Sequence, residues 1–501
     1  MTRESSNKLK DYESIPVVEA TTEIDPNASW TEAKLVTNEA TSQSGKYQDV
    51  PFAILFLAHL LFMGYLSIFY GSSNFQTGDS TPNQALDTDI SFSPPSGIPA
   101  LLLFSIISAI AIPWAFTSLL IPKFPTATVS SSLLFNTVFN VSIAVILITF
   151  SPSIYTLFFG VAWIFVSVWY YKRVQLFIPY ASAVLKLAAS AVSSHWGIYI
   201  VSIISSVISF FSVTMWIYVA NGIGMFDTQS TQSYYDYEGG ANALKFFLML
   251  VSLYWTVTVL MNISQTTIAG VTATFCLQSN TTSSHVTVVQ ALIRSLTTSF
   301  GSICFGSLLN AIITALRAMA NRARNQAHNR DRGGAELLFC IISCILALLE
   351  DIIEYFNQWN YTFIGIYGTS YLESGRFVLE MFRERGCSSI ITDGLNVYVV
   401  NTMILMSGLA CACIAAVSCA FSSNIPVAVG VGFGFVIGII FSAIITSTLQ
   451  GAVKAVLVCY VDHPAKMQEV HPEDTTALKN SILRVFPDVR EFTYVGANGI
   501  V

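Results

Sequence analysis

Residues 396–452 contain no aspartate, glutamate, lysine or arginine. In water, a stretch of that length would need charges along its exposed faces; in lipid it needs none. The rest of the chain follows suit. Of 501 residues, 53% are apolar and only 11% charged, where a soluble domain carries about a quarter charged residues. The 24 basic and 30 acidic residues gather in 1–50, 317–395 and 453–501, leaving long uncharged runs between them. This composition excludes a soluble globule, a disordered chain, a collagen and a small disulfide scaffold. A net charge of −6 argues against a nucleic-acid partner. The lipid bilayer is the expected partner.

A helix needs about 20 apolar residues to cross a hydrocarbon core about 30 Å thick. Runs that qualify are 51–70, 99–121, 127–150, 154–171, 196–220, 244–268, 296–316, 396–421 and 426–449. A weaker tenth, 335–349, is closed by Glu350 and Asp351. The strict alternation of a transmembrane barrel is absent. The expectation is therefore an all-α, polytopic helical membrane bundle of about ten transmembrane helices. Residues 1–45 are polar and acidic, unlike a cleavable signal peptide, and read as a disordered cytosolic tail. Residues 46–452 read as the transmembrane domain, and 453–501 as a cytosolic C-terminal tail.

Basic residues set the orientation. Lys34 and Lys46 precede the first run, loop 71–98 has none, and Lys172, Arg173 and Lys186 follow the fourth. Both termini are then cytosolic. One segment resists: alternation puts Arg317, Arg322, Arg324, Arg330 and Arg332 outside. Either 317–334 does lie outside, or 263–277 turns back across the membrane and keeps it inside. Two further stretches, 174–194 and 370–386, have apolar faces and read as helices lying on the inner surface.

The chain lacks a Walker lysine motif, which argues against ATP-driven pumping. Gly430, Gly434 and Gly438 have the small-xxx-small spacing of close helix contact. His59 reads as a hydrogen-bonded core histidine. Cys340, Cys344, Cys411 and Cys413 read as buried small hydrophobes. Neither a cofactor nor a metal site is expected, and no paired carboxylate or nucleophile triad lies at membrane depth, so an enzyme is not expected. Asn136, Asn140, Asn262, Gln265, Asn310 and Asn401 are amides within or beside the runs. They serve either as helix–helix bonds or as the lining of a polar path. Trp114, Trp163, Tyr254 and Trp255 lie deep enough for their rings to face a cation.

Several ordered motifs carry a resemblance. Lys46-Tyr47-Gln48-Asp49-Val50-Pro51-Phe52 opens the first run. Trp255, Asn262 and Ala269-Gly270 follow, then Arg294, Gly301-Ser302, Gly306-Ser307-Leu308 and Arg317. Later come Asn360-Tyr361, Ile366-Tyr367-Gly368, Ser374, Val458-Cys459-Tyr460-Val461-Asp462 and His471-Pro472-Glu473. Together they resemble the choline transporter-like family over about 46–475, most nearly its fungal "pH nine-sensitive" plasma-membrane branch. The resemblance implies about ten spans, cytosolic termini and, from the animal members, choline movement without ATP. The long glycosylated first outside loop of those members is missing here.

The leading expectation is a plasma-membrane solute carrier for a small organic cation such as choline. The rival is a non-transporting scaffold that uses the basic 317–332 segment on anionic lipid, with a channel third. Trp255 and Asn262 are seven residues, two turns, apart and can share one interior stripe. With Tyr254, Gln265, Asn310 and Trp114 they are the expected lining of the substrate path. A break at Ala269-Gly270 would resemble the interrupted helices of carrier sites. Oligomeric state is not legible.

Overall fold

The computed structural model describes residues 46–76, 98–223, 239–278, 284–329, 333–383, 395–421 and 426–485. The expected disordered tail, 1–45, lies outside them. From Lys46 onward the chain forms one unit, and its described elements are all helical.

Ten long helices build the bundle: α1 (Val50–Gln76), α2 (Ile98–Ala115), α3 (Pro125–Phe150), α4 (Ile154–Val174), α6 (Gly197–Gly222), α7 (Gly239–Leu277), α9 (Phe300–Asn329), α10 (Gly333–Tyr367), α12 (Leu395–Phe421) and α13 (Val427–Asp462). Shorter helices join them: α5 (Ile178–Ser194), α8 (Ser284–Leu296), α11 (Tyr371–Arg383), α14 (Pro464–Val470) and α15 (Pro472–Val485). Every backbone donor in lipid must be satisfied within the chain, which leaves helices or closed barrels, and the described elements here are helices. Among the described residues, nine helical segments are long and apolar enough to span a membrane. The tenth long helix, α10, carries Glu336, Glu350, Asp351 and Glu354, too many charges to qualify on composition. It nevertheless runs for 35 residues, past the expected stop at Glu350-Asp351. Its charge is met internally: Arg317 Nη1 lies 2.6 Å from Glu350 Oε2, and Thr314 Oγ1 donates to Glu350 Oε1 at 2.8 Å. The outer faces of the bundle are apolar and exposed, as at Leu61, Ile68, Phe158, Phe165 and Ile208, which suits lipid contact.

Several expectations change here. Helix α7 is unbroken over 39 residues, about 58 Å at 1.5 Å per residue, so there is no interruption at Ala269-Gly270 and no turn-back at 263–277. Of the arginine segment, Arg317, Arg322 and Arg324 consequently lie in the second half of α9, away from the start of α1, whereas Arg330 and Arg332 lie outside the described residues. At that end Arg322 stacks on Phe246 at the start of α7, 4.2 Å from the ring centroid. The opposite end holds Asp49, the start of α9, Tyr371, Asp462 and His471. Helix α5 does not lie on a surface: Tyr180, Val184, Leu187, Ala188 and Ala191 are fully buried. It is wedged between α13, α3 and α15, and its polar side is covered, with Lys186 Nζ 2.7 Å from Asp474 Oδ1. After residue 452, α13 runs on to Asp462, and α14 and α15 fold back on the bundle. Cys344 and Cys413 face outward rather than inward.

The glycine spacing of α13 does make a close contact. Gly430, Gly434 and Gly438 face Cys419, Ala415, Cys411 and Gly408 of α12, where any side chain would collide. His59 is hydrogen-bonded as expected, its Nε2 2.8 Å from Ser252 Oγ.

Candidate functional site

Two polar regions inside the bundle border α7. The first is a tight seam among α1, α7, α8, α9, α10 and α11. Gly270 and Gly365 let α7 and α10 touch, with the Arg294 guanidinium donating to the Gly365 carbonyl. Burial holds the Arg294 pKa below its ordinary value. Gly301 receives the backbone of Gln48 and Asp49, and Gly306 receives the rings of Tyr361 and Tyr371. Asp49 has a left-handed backbone (φ 49°), a conformation Asp tolerates better than most residues. Its carboxylate accepts from Ser302 Oγ at 2.7 Å and from the Tyr371 N–H at 2.9 Å. Gly368 (φ 72°) makes the turn from α10 into α11 that presents this N–H. Burial raises the Tyr371 phenol pKa, and its hydroxyl donates to Asn357 Oδ1 at 2.5 Å.

The second region is a cavity of about 740 Å³ between α6, α7, α10 and α13, with Asn310 of α9 at its edge. This lies within the range of small-molecule sites, about 300–1,000 Å³. Helix α6 contributes Ser202, Ser205, Ser206 and Ser209 at helical spacing. Helix α7 adds Thr258, Asn262 and Gln265, and α10 adds Glu354, Asn357, Gln358 and Tyr361. Helix α13 closes the wall with Ser447, Gln450 and Lys454. Gln358 organises the floor. Its Oε1 accepts from Lys454 Nζ at 2.6 Å, its Nε2 donates to Glu354 Oε1 at 3.4 Å, and its backbone carbonyl accepts from Gln265 Nε2 at 2.9 Å. Two buried amide atoms on the wall have no partner among the described residues: Asn310 Oδ1, an acceptor, and Asn357 Nδ2, a donor. Buried polar atoms are nearly always paired; these two are closed off from the cavity space and become available to a solute only if their side chains turn.

The expected site residues divide between these regions. Asn262, Gln265 and Asn310 line the cavity. Trp255 does share a stripe with Asn262, since both reach α9: Trp255 Nε1 donates to the Cys304 carbonyl at 3.0 Å and Asn262 Nδ2 to Ser307 Oγ at 2.9 Å. Trp255 is packed solid against Phe56 and His59, however, away from the cavity. Tyr254 packs beside that same cluster. Trp114 is 43% exposed on the outside of α2, and Trp163 56% exposed on α4. Ring size and depth do not reveal which way a helix turns its face, and these rings turn away from the cavity. The sequence reading passes over Glu354, Asn357, Gln358, Tyr361, Lys454 and the α6 serines. The serine spacing was a usable signal, because four hydroxyls on one face of an apolar helix mark a polar surface.

The profile of the plasma-membrane choline transporter family matches residues 154–465, a stretch holding the cavity and most of the seam. Protein PNS1 of Gibberella zeae is 28% identical over 469 residues, covering 89% of this chain and 84% of that protein. Protein PNS1 of Mycosarcoma maydis is 26% identical over 453 residues, covering 85% and 82%. A CTL-like protein of Dictyostelium discoideum is 29% identical over 315 residues, covering 62% and 53%. The expected ten-helix membrane bundle, the ordered motifs and a match over more than half the chain agree: this protein belongs to the plasma-membrane choline transporter-like family, alongside the fungal PNS1 proteins.

Proposed function

We propose that this protein is a solute carrier that moves a small organic cation, choline or a chemical relative, across the plasma membrane without ATP. The observation that carries the reading is the cavity, a largely apolar space that carries the Glu354 carboxylate and the side-chain amides of Asn262, Gln265 and Gln358 on its wall. A trimethylammonium group cannot donate hydrogen bonds, so its site must rely on a negative charge, ring faces and dispersion. Glu354 supplies the charge, and Phe210 and Tyr361 line the same space. A well-placed ring adds about 0.5–2 kcal/mol. The amides suit a hydroxyl. An interior packed with apolar groups would have favoured the scaffold.

Both termini are assigned to the cytosol. Lys46, Lys123, Lys172, Arg173, Lys186, Arg376, Lys466, Lys479 and Arg484 belong to the end where α1 begins and α13 finishes. The other end has Lys245, Arg317, Arg322 and Arg324 among the described residues, with Arg317 paired to Glu350 and Arg322 stacked on Phe246. The positive-inside rule then favours the first end as cytosolic, and the arginine segment faces out.

Purified protein in liposomes should take up radiolabelled choline, and Glu354→Gln should cut uptake about tenfold or more at unchanged folded yield. Absence of uptake by the unaltered protein contradicts the proposal. On intact cells, an impermeant thiol reagent should label Gln326→Cys; labelling only after permeabilisation would reverse the orientation.

A further inference from the structure

The charges in the cavity cancel. Among its described lining residues Glu354 is the acidic one and Lys454 the basic one. They are joined through a single side chain, the Gln358 amide, which accepts from Lys454 and donates to Glu354. Glu354 is also near enough to act electrostatically on the ammonium. A cavity in this state offers an incoming cation no net attraction. A second cation brought to the one carboxylate must therefore compete with the Lys454 ammonium for its charge.

We propose that Lys454 is a tethered stand-in for the substrate cation: its ammonium balances Glu354 while the carrier is empty and is displaced when an organic cation enters. The inference rests on the carrier reading above. Lysine suits the part, being a compact charge on a flexible four-carbon stem rather than a fixed fork like arginine's. Gln450 lies one helical turn before Lys454 and lines the same cavity, giving the displaced ammonium an amide to move to. The anchor, Gln358, is itself held by Gln265 through its backbone carbonyl, so the displaced and undisplaced states share one fixed reference point.

The consequence concerns the empty carrier. Without the ammonium, an empty cavity would present an unbalanced carboxylate on its wall, and the conformational change that returns the empty carrier would have to carry it. With the ammonium, the empty and loaded carriers have equal charge balance at Glu354, and both can reorient. Lys454 thus allows net movement of substrate and is not needed for one-for-one exchange.

The test separates those two modes in liposomes holding the purified full chain. With Lys454→Gln and Lys454→Met, net uptake of radiolabelled choline into choline-free liposomes should fall about tenfold or more. Exchange into liposomes preloaded with unlabelled choline should stay within about threefold of the unaltered protein, and thermal stabilisation by choline should appear at lower concentration. Lys454→Arg should keep much of the net uptake. Net uptake and exchange falling together, or neither changing, would overturn the proposal. Neutral variants that do not fold while Lys454→Arg does would mark the ammonium as a structural counter-charge, which also overturns it. Unaltered protein that neither binds nor moves choline fails earlier, at the proposed function, and takes this inference with it.

Discussion

The seam and the cavity share helix α7 yet are built in opposite ways. In the seam, glycines at 270, 301 and 365 bring backbones into contact, Gly306 admits two tyrosine rings, and Asp49, Arg294 and the Tyr371 hydroxyl each have a partner. In the cavity, side chains stand apart around about 740 Å³ and leave Asn310 Oδ1 and Asn357 Nδ2 unpaired. Asn357 and Tyr361 belong to both, since each lines the cavity and each meets Tyr371 or Ser307 of the seam. The contrast teaches that the motifs by which the family is recognised mainly mark where helices lock together. The groups suited to holding a solute are amides, serines and two charges without a compact motif of their own.

The sharpest break of this contrast is Gly365→Val. Its Cβ would meet the Thr266 backbone carbonyl, which cannot swing aside, so overpacking of about 3 kcal/mol or more is expected. Little monodisperse protein should be recovered; normal yield would show that the seam is not tight. Trp255→Leu comes next, because a buried ring and its bond to the Cys304 carbonyl are lost, for about 2–3 kcal/mol. Its thermal midpoint should drop while uptake per folded molecule holds, and a selective loss of uptake would return Trp255 to the pathway. Asn262→Ala touches both regions. Loss of the Ser307 bond should cost about 1 kcal/mol of stability, with uptake reduced beyond what that explains. Asn310→Ala removes an acceptor that has no partner, so stability should change by less than about 0.5 kcal/mol while uptake falls. Trp114→Ala, on the outer face, should alter neither.

The helices were legible in the sequence because lipid demands long apolar runs, and the expected runs begin close to the candidate spans, although those at 154–171, 244–268, 296–316 and 426–449 end well short of them. What escaped the sequence was anything decided by pairing across helices. A scan for apolar runs ends at the first charges, and so it stopped before Glu354 on α10 and assigned Lys454 to a tail, although both are inside continuous helices. Counting arginines likewise cannot register that Glu350 offsets Arg317, which left a turn-back at 263–277 open as an alternative. Amphipathic α5 suited a membrane surface equally well until α15 was seen to cover its polar side. Of the expected lining, the amides Asn262, Gln265 and Asn310 reach the cavity, whereas Tyr254, Trp255 and Trp114 do not line it. An amide inside a bundle must find a polar neighbour, whereas a ring is equally content in packing or against lipid.

The central claim is that an organic cation sits in the cavity between α6, α7, α10 and α13. Ser206 lines that cavity, and Cys304 is buried in the seam. Purified protein carrying Ser206→Cys should be treated with a water-soluble thiol reagent, with modification read site by site by mass spectrometry. The account predicts that Ser206→Cys reacts, that saturating choline slows the reaction, and that Cys304 stays unmodified with or without choline. A Ser206→Cys thiol that reacts equally fast in the presence and absence of choline would contradict it.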